Sequence, residues 1–361
     1  MSTMIIDGSQ GEGGGQILRT SLSLSALTGR PLLLENIRAG RSRPGLRPQH
    51  LTAVRAVAAI CNAQLEGDHL DSQRLRFTPA HAPRGGAYRF DVSDAAETFS
   101  AGSITLIWQA LLWPLCFADE PATLGLRGGT FVPFSPPYHY LAHVALPAFA
   151  CFGTRASSEL RLWGWMQQGA GEIVCHIEPV AGLDAAGWQA RDSHPVEEIG
   201  GVAAVTNLPA HIPQRMANRA ANVLAEHDLR ANIQVIRERG AGAGAGICLW
   251  LPPGGDRMGG FSALGRQGLP ADQVADEAVA RLLAFMDNQA IVDPFLADQL
   301  LLPMALSAGH SRFTTSRLTG HLLTHASLLQ GWLDVEIEIK GEMDQPGEVM
   351  VRGMGFQRSS S

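Results

Sequence analysis

Hydrophobic positions along the chain fall into two alternating rhythms. MIID and RPLLLENI are short apolar stretches of strand length, and between them QILRTSLSLSALTG sets Ile17, Leu18, Ser21, Leu22 and Ser25 at helical spacing. A helix over HLTAVRAVAAICNA and two strand-like pieces, AQLEG and QRLRFTP, complete this stretch. A second stretch repeats the plan: strand YRFDVS, helix ITLIWQALLWPLCFA, strand ATLGLRGGT, helix PYHYLAHVALPAFACFG, and strands SSELRLW and EIVCHIEP. Pro136 and Pro137 stand near the first turn of that second helix, where proline is tolerated. A third copy reads as helix VDPFLADQLLLPMALSAG, strand SRFTTS, helix GHLLTHASLLQGW, and strands LDVEIEIKG and GEVMVRG.

Repetition of a βαβ-containing unit predicts helices packed on sheets, an α/β (α+β) fold. The material between copies two and three does not repeat: strand GGVAAVTNL, helix PQRMANRAANVLAEH, strands ANIQVIRER and GICLWL, and helix PADQVADEAVARLLAFM. It reads as a smaller inserted α/β domain over residues 188–285, with 1–187 and 286–354 forming the large domain and 355–361 a frayed tail. The alternation RGAGAGAGICLW reads as a flexible loop before a strand.

Composition narrows the class. With 45% hydrophobic and 17% charged residues, the 361-residue chain is expected to fold around a substantial core. Its longest apolar run, ITLIWQALLWPLCFA, is interrupted by Gln109 and Pro114 and is too short for a membrane helix. MSTMIIDGSQ has no basic region followed by an apolar core, and the five scattered cysteines form no CxxC pair, so a reducing cytoplasmic setting is expected. A net charge of −6 gives no general nucleic-acid signal. A polyanion would need a local basic patch, and IRAGRSRPGLRPQH supplies Arg38, Arg41, Arg43 and Arg47, followed by Gln49 and His50; a solvated loop explains it equally well.

Candidate chemistry is sparse when read residue by residue. GSQGEGGGQILRT is glycine-rich before a helix, as phosphate cradles are, but it lacks the Lys-Ser/Thr pair of a Walker loop and the third glycine of the dinucleotide fingerprint, and Glu12 inside it would repel an anion. His321, after Thr319 and Gly320 at the start of an apolar helix, is either a nucleophilic imidazole or a structural histidine. His325, four residues on, would share its face, yet HLLTH lacks the glutamate of a zincin motif. Asp298 and Gln299 are either a polar turn of an apolar helix or the wall of a site. Gly128, Gly129, Thr130 and Pro136 either end a strand or line a pocket.

Taken together, DGSQGEGGGQILRT, IRAGRSRPGLRPQHLTAV, RGGTFVPFSPP, FLADQLLLPMA and GHLLT stand in the order expected of the RNA 3′-terminal phosphate cyclases. The chain resembles that family over most of its length. The resemblance implies three βαβαββ-type repeats in a large domain, with a smaller domain inserted before the last. It implies that His321 attacks the α-phosphorus of ATP to leave a histidyl-AMP, that the nucleotide passes to an RNA 3′-terminal phosphate, and that the 2′-hydroxyl closes a 2′,3′-cyclic phosphate. By the same likeness Glu12 holds Mg²⁺ or Mn²⁺. Arg19, Arg38, Arg41, Gln49 and His50 would contact phosphates of ATP or RNA, while Gln109, Pro136, Phe295, Asp298 and Gln299 would surround the adenosine. The implied partner is RNA with a 3′-terminal phosphate, with no membrane and no obligatory protein partner.

The chain departs from the family pattern in four places: His325 where asparagine is frequent, Phe295 where tyrosine is frequent, QQGAG at Gln167 to Gly171, and GAG for GPG. Two other functions stay open: a cyclase-like RNA-binding or assembly factor without catalysis, and a metal hydrolase using His321 and His325.

Overall fold

The computed structural model describes residues 2–96, 100–166, 168–188 and 198–358. The first unit runs β1 (Met4–Asp7), α1 (Gly15–Thr28), β2 (Leu32–Glu35), α2 (Pro48–Cys61), β3 (Gln64–Glu66) and β4 (Leu75–Thr78). Its sheet has the order β1-β2-β4-β3, with β1 parallel to β2 and the other pairs antiparallel. The second unit copies it: β5 (Gly86–Asp91), α3 (Ile104–Cys116), β6 (Ala122–Gly128), α4 (Tyr138–Tyr140), α5 (Leu146–Ala150), β7 (Arg155–Leu162) and β8 (Gly171–Glu178), in the order β5-β6-β8-β7. Helices α4 and α5 are one continuous rod joined by a π-turn at Leu141–Ala145. Pro147 has no N–H to offer the carbonyl of His143, so the ladder widens there.

The inserted segment comprises β9 (Ile199–Thr206), α6 (His211–Glu226), β10 (Ala231–Glu238), β11 (Gly244–Trp250), β12 (Gly260–Leu264) and α7 (Ala271–Met286), with sheet order β10-β9-β11-β12. The third unit follows as α8 (Pro294–Leu306), β13 (Ala308–Thr315), α9 (Gly320–Trp332), β14 (Glu336–Lys340) and β15 (Gly347–Met354), in the order β13-β15-β14. Its first strand is not absent but divided. Residues leaving the second unit run parallel to β13, with bridges Asp184 to Ala308 and Gly187 to Arg312, and the returning chain adds a parallel bridge from Val292 to Thr315. The insert therefore enters through the first strand of the third unit.

Each side of the insert's sheet has a partner. Ile199, Ala203, Val205, Ile247 and Leu249 face a core of their own with α6 and α7. Val202, Ala204, Cys248 and Trp250 alternate with them and join the core of the large domain. This two-sided burial corrects the reading of RGAGAGAGICLW as a flexible loop, because β11 begins at Gly244. A Cβ on Gly244 would lie 2.1 Å from the Trp165 ring, and one on Gly246 2.8 Å from Phe131, so these glycines allow a strand to lie against aromatic rings. Strand β12, GFSAL, was not anticipated; five residues beginning with glycine carry little pattern. The expected tail also needs correction, since Phe356 packs edge-on against Phe117 at 4.9 Å and Gln357 bridges Gly182; residues 359–361 lie outside the described residues.

In the large domain α1 packs on α2, α3 and α9, and the buried serines 21, 23 and 25 keep its surface narrow; the Ser23 hydroxyl donates to the Ala110 carbonyl at 2.9 Å. All five cysteines are free thiols. Among the described residues no helix is long and apolar enough to cross a membrane.

One buried carboxylate ties the three parts together. Asp293 caps α8 by accepting from the Phe295 and Leu296 amides at 2.6 and 3.0 Å, and also accepts from the Tyr140 hydroxyl at 2.9 Å and the Gly260 amide at 3.1 Å. Burial pushes its pKa up to about 6, although all four donors pull it down. Asp293→Ala strands four donors, two of them in the α8 cap, and is expected to cost about 3 kcal/mol or more in equilibrium denaturation; a loss below about 1 kcal/mol would contradict the latch.

Candidate active site

Two helix N-termini meet at one end of a cleft of about 1350 Å³ that separates the large domain from the insert. They differ in how their free amides are used. Helix α9 is capped by its own Thr319, whose hydroxyl accepts from Leu322 at 3.1 Å. Helix α1 starts after Gly14 with no side-chain cap, so its first amides and positive dipole end stay open to an anion. Cations flank that opening: a Cβ on Gly14 would lie 3.1 Å from an Arg41 guanidinium nitrogen and 3.6 Å from His321 Cε1, and one on Gly15 3.1 Å from Arg19.

Glu12, the residue that made the glycine-rich turn look unsuited to phosphate, faces His321. The His321 Nε2 lies 2.9 Å from a Glu12 carboxylate oxygen, and Arg41 lies 3.9 Å from the same oxygen while donating to the Glu12 carbonyl at 2.9 Å. Gly320 allows the approach, since a Cβ there would sit 2.6 Å from Glu12 Oε1. Thr324, one turn along α9, accepts from the Glu12 amide at 3.3 Å and fixes the turn against the helix. Burial lowers the His321 pKa; Glu12 opposes this, and Arg19 and Arg41 lower it further. Burial and the two arginines thus favour the neutral imidazole, which is half-exposed and lies beside the open end of α1.

Behind His321 lies a buried polar layer. His325 Nδ1–H donates to the Asp298 carbonyl at 2.7 Å, and the Thr20 hydroxyl lies 3.2 Å from Nε2. With both ring nitrogens occupied and the ring buried, the two histidines do not form a metal pair; among the described residues no three or more His, Cys, Asp or Glu converge on a metal position. The Gln16 amide donates to the Asp298 carboxylate at 3.2 Å. Burial pushes Asp298 up to about 7 against the pull of Arg19, and burial lowers Arg19 to about 10 against the pull of Asp298. Arg19 thus lies buried beside a carboxyl that burial biases toward its neutral form.

Of the other expected site residues, Gln109, Pro136, Phe295, Asp298 and Gln299 line the cleft with Arg19 and His321. The Gln109 amide donates to Gln299 at 2.8 Å, and Gln299 donates to the Phe295 carbonyl at 2.7 Å. The remaining three serve their own surroundings. Arg38, at φ 54°, donates to the Arg43 and Gly45 carbonyls; Gln49 accepts from the Ser103 amide at 2.9 Å; His50 is buried and accepts from the Arg47 amide at 3.2 Å. His50 still borders the α1 opening, because a Cβ on Gly15 would lie 2.6 Å from its Nε2. Gln167 lies outside the described residues. Sequence reasoning missed the insert's share of the cleft, whose lining includes Arg215, Arg266 and Arg281. It also missed Gln16, which stands where the dinucleotide fingerprint would have its third glycine and which lines the cleft.

Three α/β units with an insert, and a cleft lined by arginines that ends at an uncapped helix and a half-exposed histidine, define an α/β repeat protein with an anion-receptive cleft. The profile of the family described as RNA 3′-terminal phosphate cyclase matches residues 10–339. Among similar proteins, the RNA 3′-terminal phosphate cyclase of Gloeothece citriformis is 45% identical over 95% of this chain and 98% of its own. That of Methylococcus capsulatus is 45% identical over 98% and 97%, and that of Pyrococcus furiosus 37% identical over 96% and 98%. The chain belongs to the RNA 3′-terminal phosphate cyclase family.

Burial holds His325 at about 4 in the folded chain, against an ordinary value of 6.5. The folded state therefore refuses a proton that the unfolded state accepts, and stability present above pH 6.5 is lost as the pH falls toward 4. Between pH 7 and 5 the wild type is expected to lose about 2 kcal/mol more than His325→Asn, measured by denaturant unfolding at each pH; parallel losses would place the acid sensitivity elsewhere.

Proposed function

We propose that this protein converts an RNA 3′-terminal phosphate to a 2′,3′-cyclic phosphate at the expense of ATP, with His321 as the nucleophile. The observation that carries the reading is the His321 imidazole, 2.9 Å from Glu12 and beside the uncapped start of α1. In the first step an imidazole nitrogen attacks the α-phosphorus of ATP, the bond to the bridging oxygen of pyrophosphate breaks, and the nucleotide remains on His321. In the second an oxygen of the RNA 3′-phosphate displaces the histidine. In the third the 2′-hydroxyl attacks the activated phosphorus, loses its proton, and AMP leaves.

Each step moves negative charge at phosphorus, so donors and cations in place beforehand carry the catalysis. The α1 amides, Arg41 and Arg19 serve in that way, and the Gln109–Gln299 pair with Pro136 and Phe295 offers a flat, partly polar seat for a nucleoside. A divalent cation fits the donor set: one exposed carboxylate, Glu12, is the hard oxygen ligand that Mg²⁺ or Mn²⁺ takes when phosphates and water complete its shell. Such an ion neutralises phosphate charge. Glu12 also has a role of its own, since its contact holds the His321 ring toward the cleft. The chain is read as working in the cytoplasm, where reduced thiols and RNA ends coexist.

Incubation with ATP labelled at the α-phosphate is expected to leave acid-labile, alkali-stable label on the denatured chain, as a phosphoramidate does. His321→Ala is expected to abolish the label while the protein still folds, because the side chain is half-exposed. Label surviving in that variant would remove His321 from the mechanism, and a folded, ATP-binding wild type without label would favour an RNA-binding role. Glu12→Gln is expected to reduce labelling strongly and to flatten its dependence on Mg²⁺; an unchanged metal titration would contradict its assignment.

A further inference from the structure

The loop between β6 and α4 combines two penalties at one residue. Phe134 is fully exposed, at 105%, and its backbone sits at φ 60°, in the left-handed region that a bulky side chain disfavours. A turn that needed only the conformation would be better served by glycine or asparagine. The loop around it is held firmly. Phe131 donates to the Gly164 carbonyl at 3.0 Å, Tyr138 to the Thr130 carbonyl at 2.8 Å, and the Thr105 hydroxyl to the Pro136 carbonyl at 2.7 Å. Pro133, Pro136 and Pro137 fix three more backbone angles. The loop is a rigid mount that holds one aromatic ring in solvent.

The ring is not displayed at random. Phe134 and Phe295 are the two exposed phenylalanines among the described residues, and both line the same cleft, together with exposed Met166. At about 1350 Å³ the cleft is larger than the roughly 300–1,000 Å³ that suits a single small ligand. It has room for a second nucleotide beside one seated at Gln109 and Gln299. The insert contributes Arg215, Arg266 and Arg281 to the lining of the same cleft. The first two are paired with Asp272 and Glu277, whereas Arg281 donates to the Ser262 carbonyl at 3.0 Å and has no ion pair among the described residues. An exposed aromatic ring in a cleft that cationic side chains also line suits single-stranded nucleic acid, with the ring stacking on a base and the cations following the backbone.

We infer that Phe134 is the stacking platform for a base of the RNA 3′ end, with Arg281 of the insert, which lines the same cleft, on the phosphate backbone. This deepens the RNA-end activity proposed above and rests on it. Stacking on any base suits an enzyme whose chemistry is confined to the terminal ribose phosphate, since every base has a π-face.

The test measures two things separately in wild type, Phe134→Ala, Phe134→Gly and Phe134→Trp. One is anisotropy of a fluorescein-labelled hexaribonucleotide ending in a 3′-phosphate; the other is labelling of the protein by α-labelled ATP without RNA, as a function of ATP. Phe134→Ala is expected to bind the oligonucleotide about tenfold more weakly, Phe134→Trp to restore binding, and all variants to label as the wild type does. Phe134→Gly is expected to melt no lower than the wild type, because glycine relieves the left-handed strain. Unchanged RNA binding in Phe134→Ala, with normal wild-type binding, overturns this inference and leaves the proposed activity standing. A raised ATP requirement with intact RNA binding overturns it by assigning the ring to adenine, and a lowered melting point in Phe134→Gly overturns it by making the ring structural. A wild type that neither labels nor binds the oligonucleotide overturns both readings.

Discussion

The Asp293 carboxylate is the constraint on which the arrangement of the molecule depends. It sits where the inserted segment returns to the large domain, one residue after the Val292 bridge that completes the divided first strand of the third unit. Its four donors come from α8, from Tyr140 of the second unit and from Gly260 of the insert, so one residue fixes the mutual position of three elements. Burying a carboxylate this deeply is unfavourable unless its lone pairs are used, and here they are. The wall of the cleft contributed by the insert is held in register with the wall contributed by α1, α3 and α8 at this point.

The same logic runs in reverse at the site. Thr319 and Asp293 satisfy the starts of α9 and α8, while α1 is left without a side-chain cap, and Arg19 lies buried with Asp298 pushed toward neutrality. Uncapped amides and a buried arginine are costly unless they are partnered, and an anion is the partner their charge suits. Burial lowers the pKa of the histidine beside them, Glu12 opposes this, and Arg19 and Arg41 lower it further. Stability is thus concentrated at the seam and withheld at the cleft, as expected where a ligand has to complete the structure.

Much of the fold was legible because each unit repeats a period-switching pattern that strands and helices need in order to bury one face. The divided strand was not legible, since residues 184–187 and Val292 are too few on either side to show alternation, and it exists only because both pieces find β13. The alternating glycines before β11 pointed to flexibility for want of any sign of Trp165 and Phe131 opposite them. At the site, Glu12, Arg19, Arg41 and His321 could be named because five short motifs stood in a known order. Arg38, Gln49 and His50 were named with them, and their partners in this structure are neighbouring loop and helix atoms.

By itself the sequence determined the element types, their threefold repetition and the presence of one histidine and one glutamate beside glycine-rich turns. Those properties follow from local periodicity and backbone freedom, which act over a few residues. Only the tertiary structure decided that Glu12 faces His321 across more than 300 positions of chain, that His325 turns away to bond Asp298 and Thr20, and that arginines of the insert close the cleft. Distances of that kind are set by how helices and sheets pack, and packing depends on contacts between segments that local pattern does not encode.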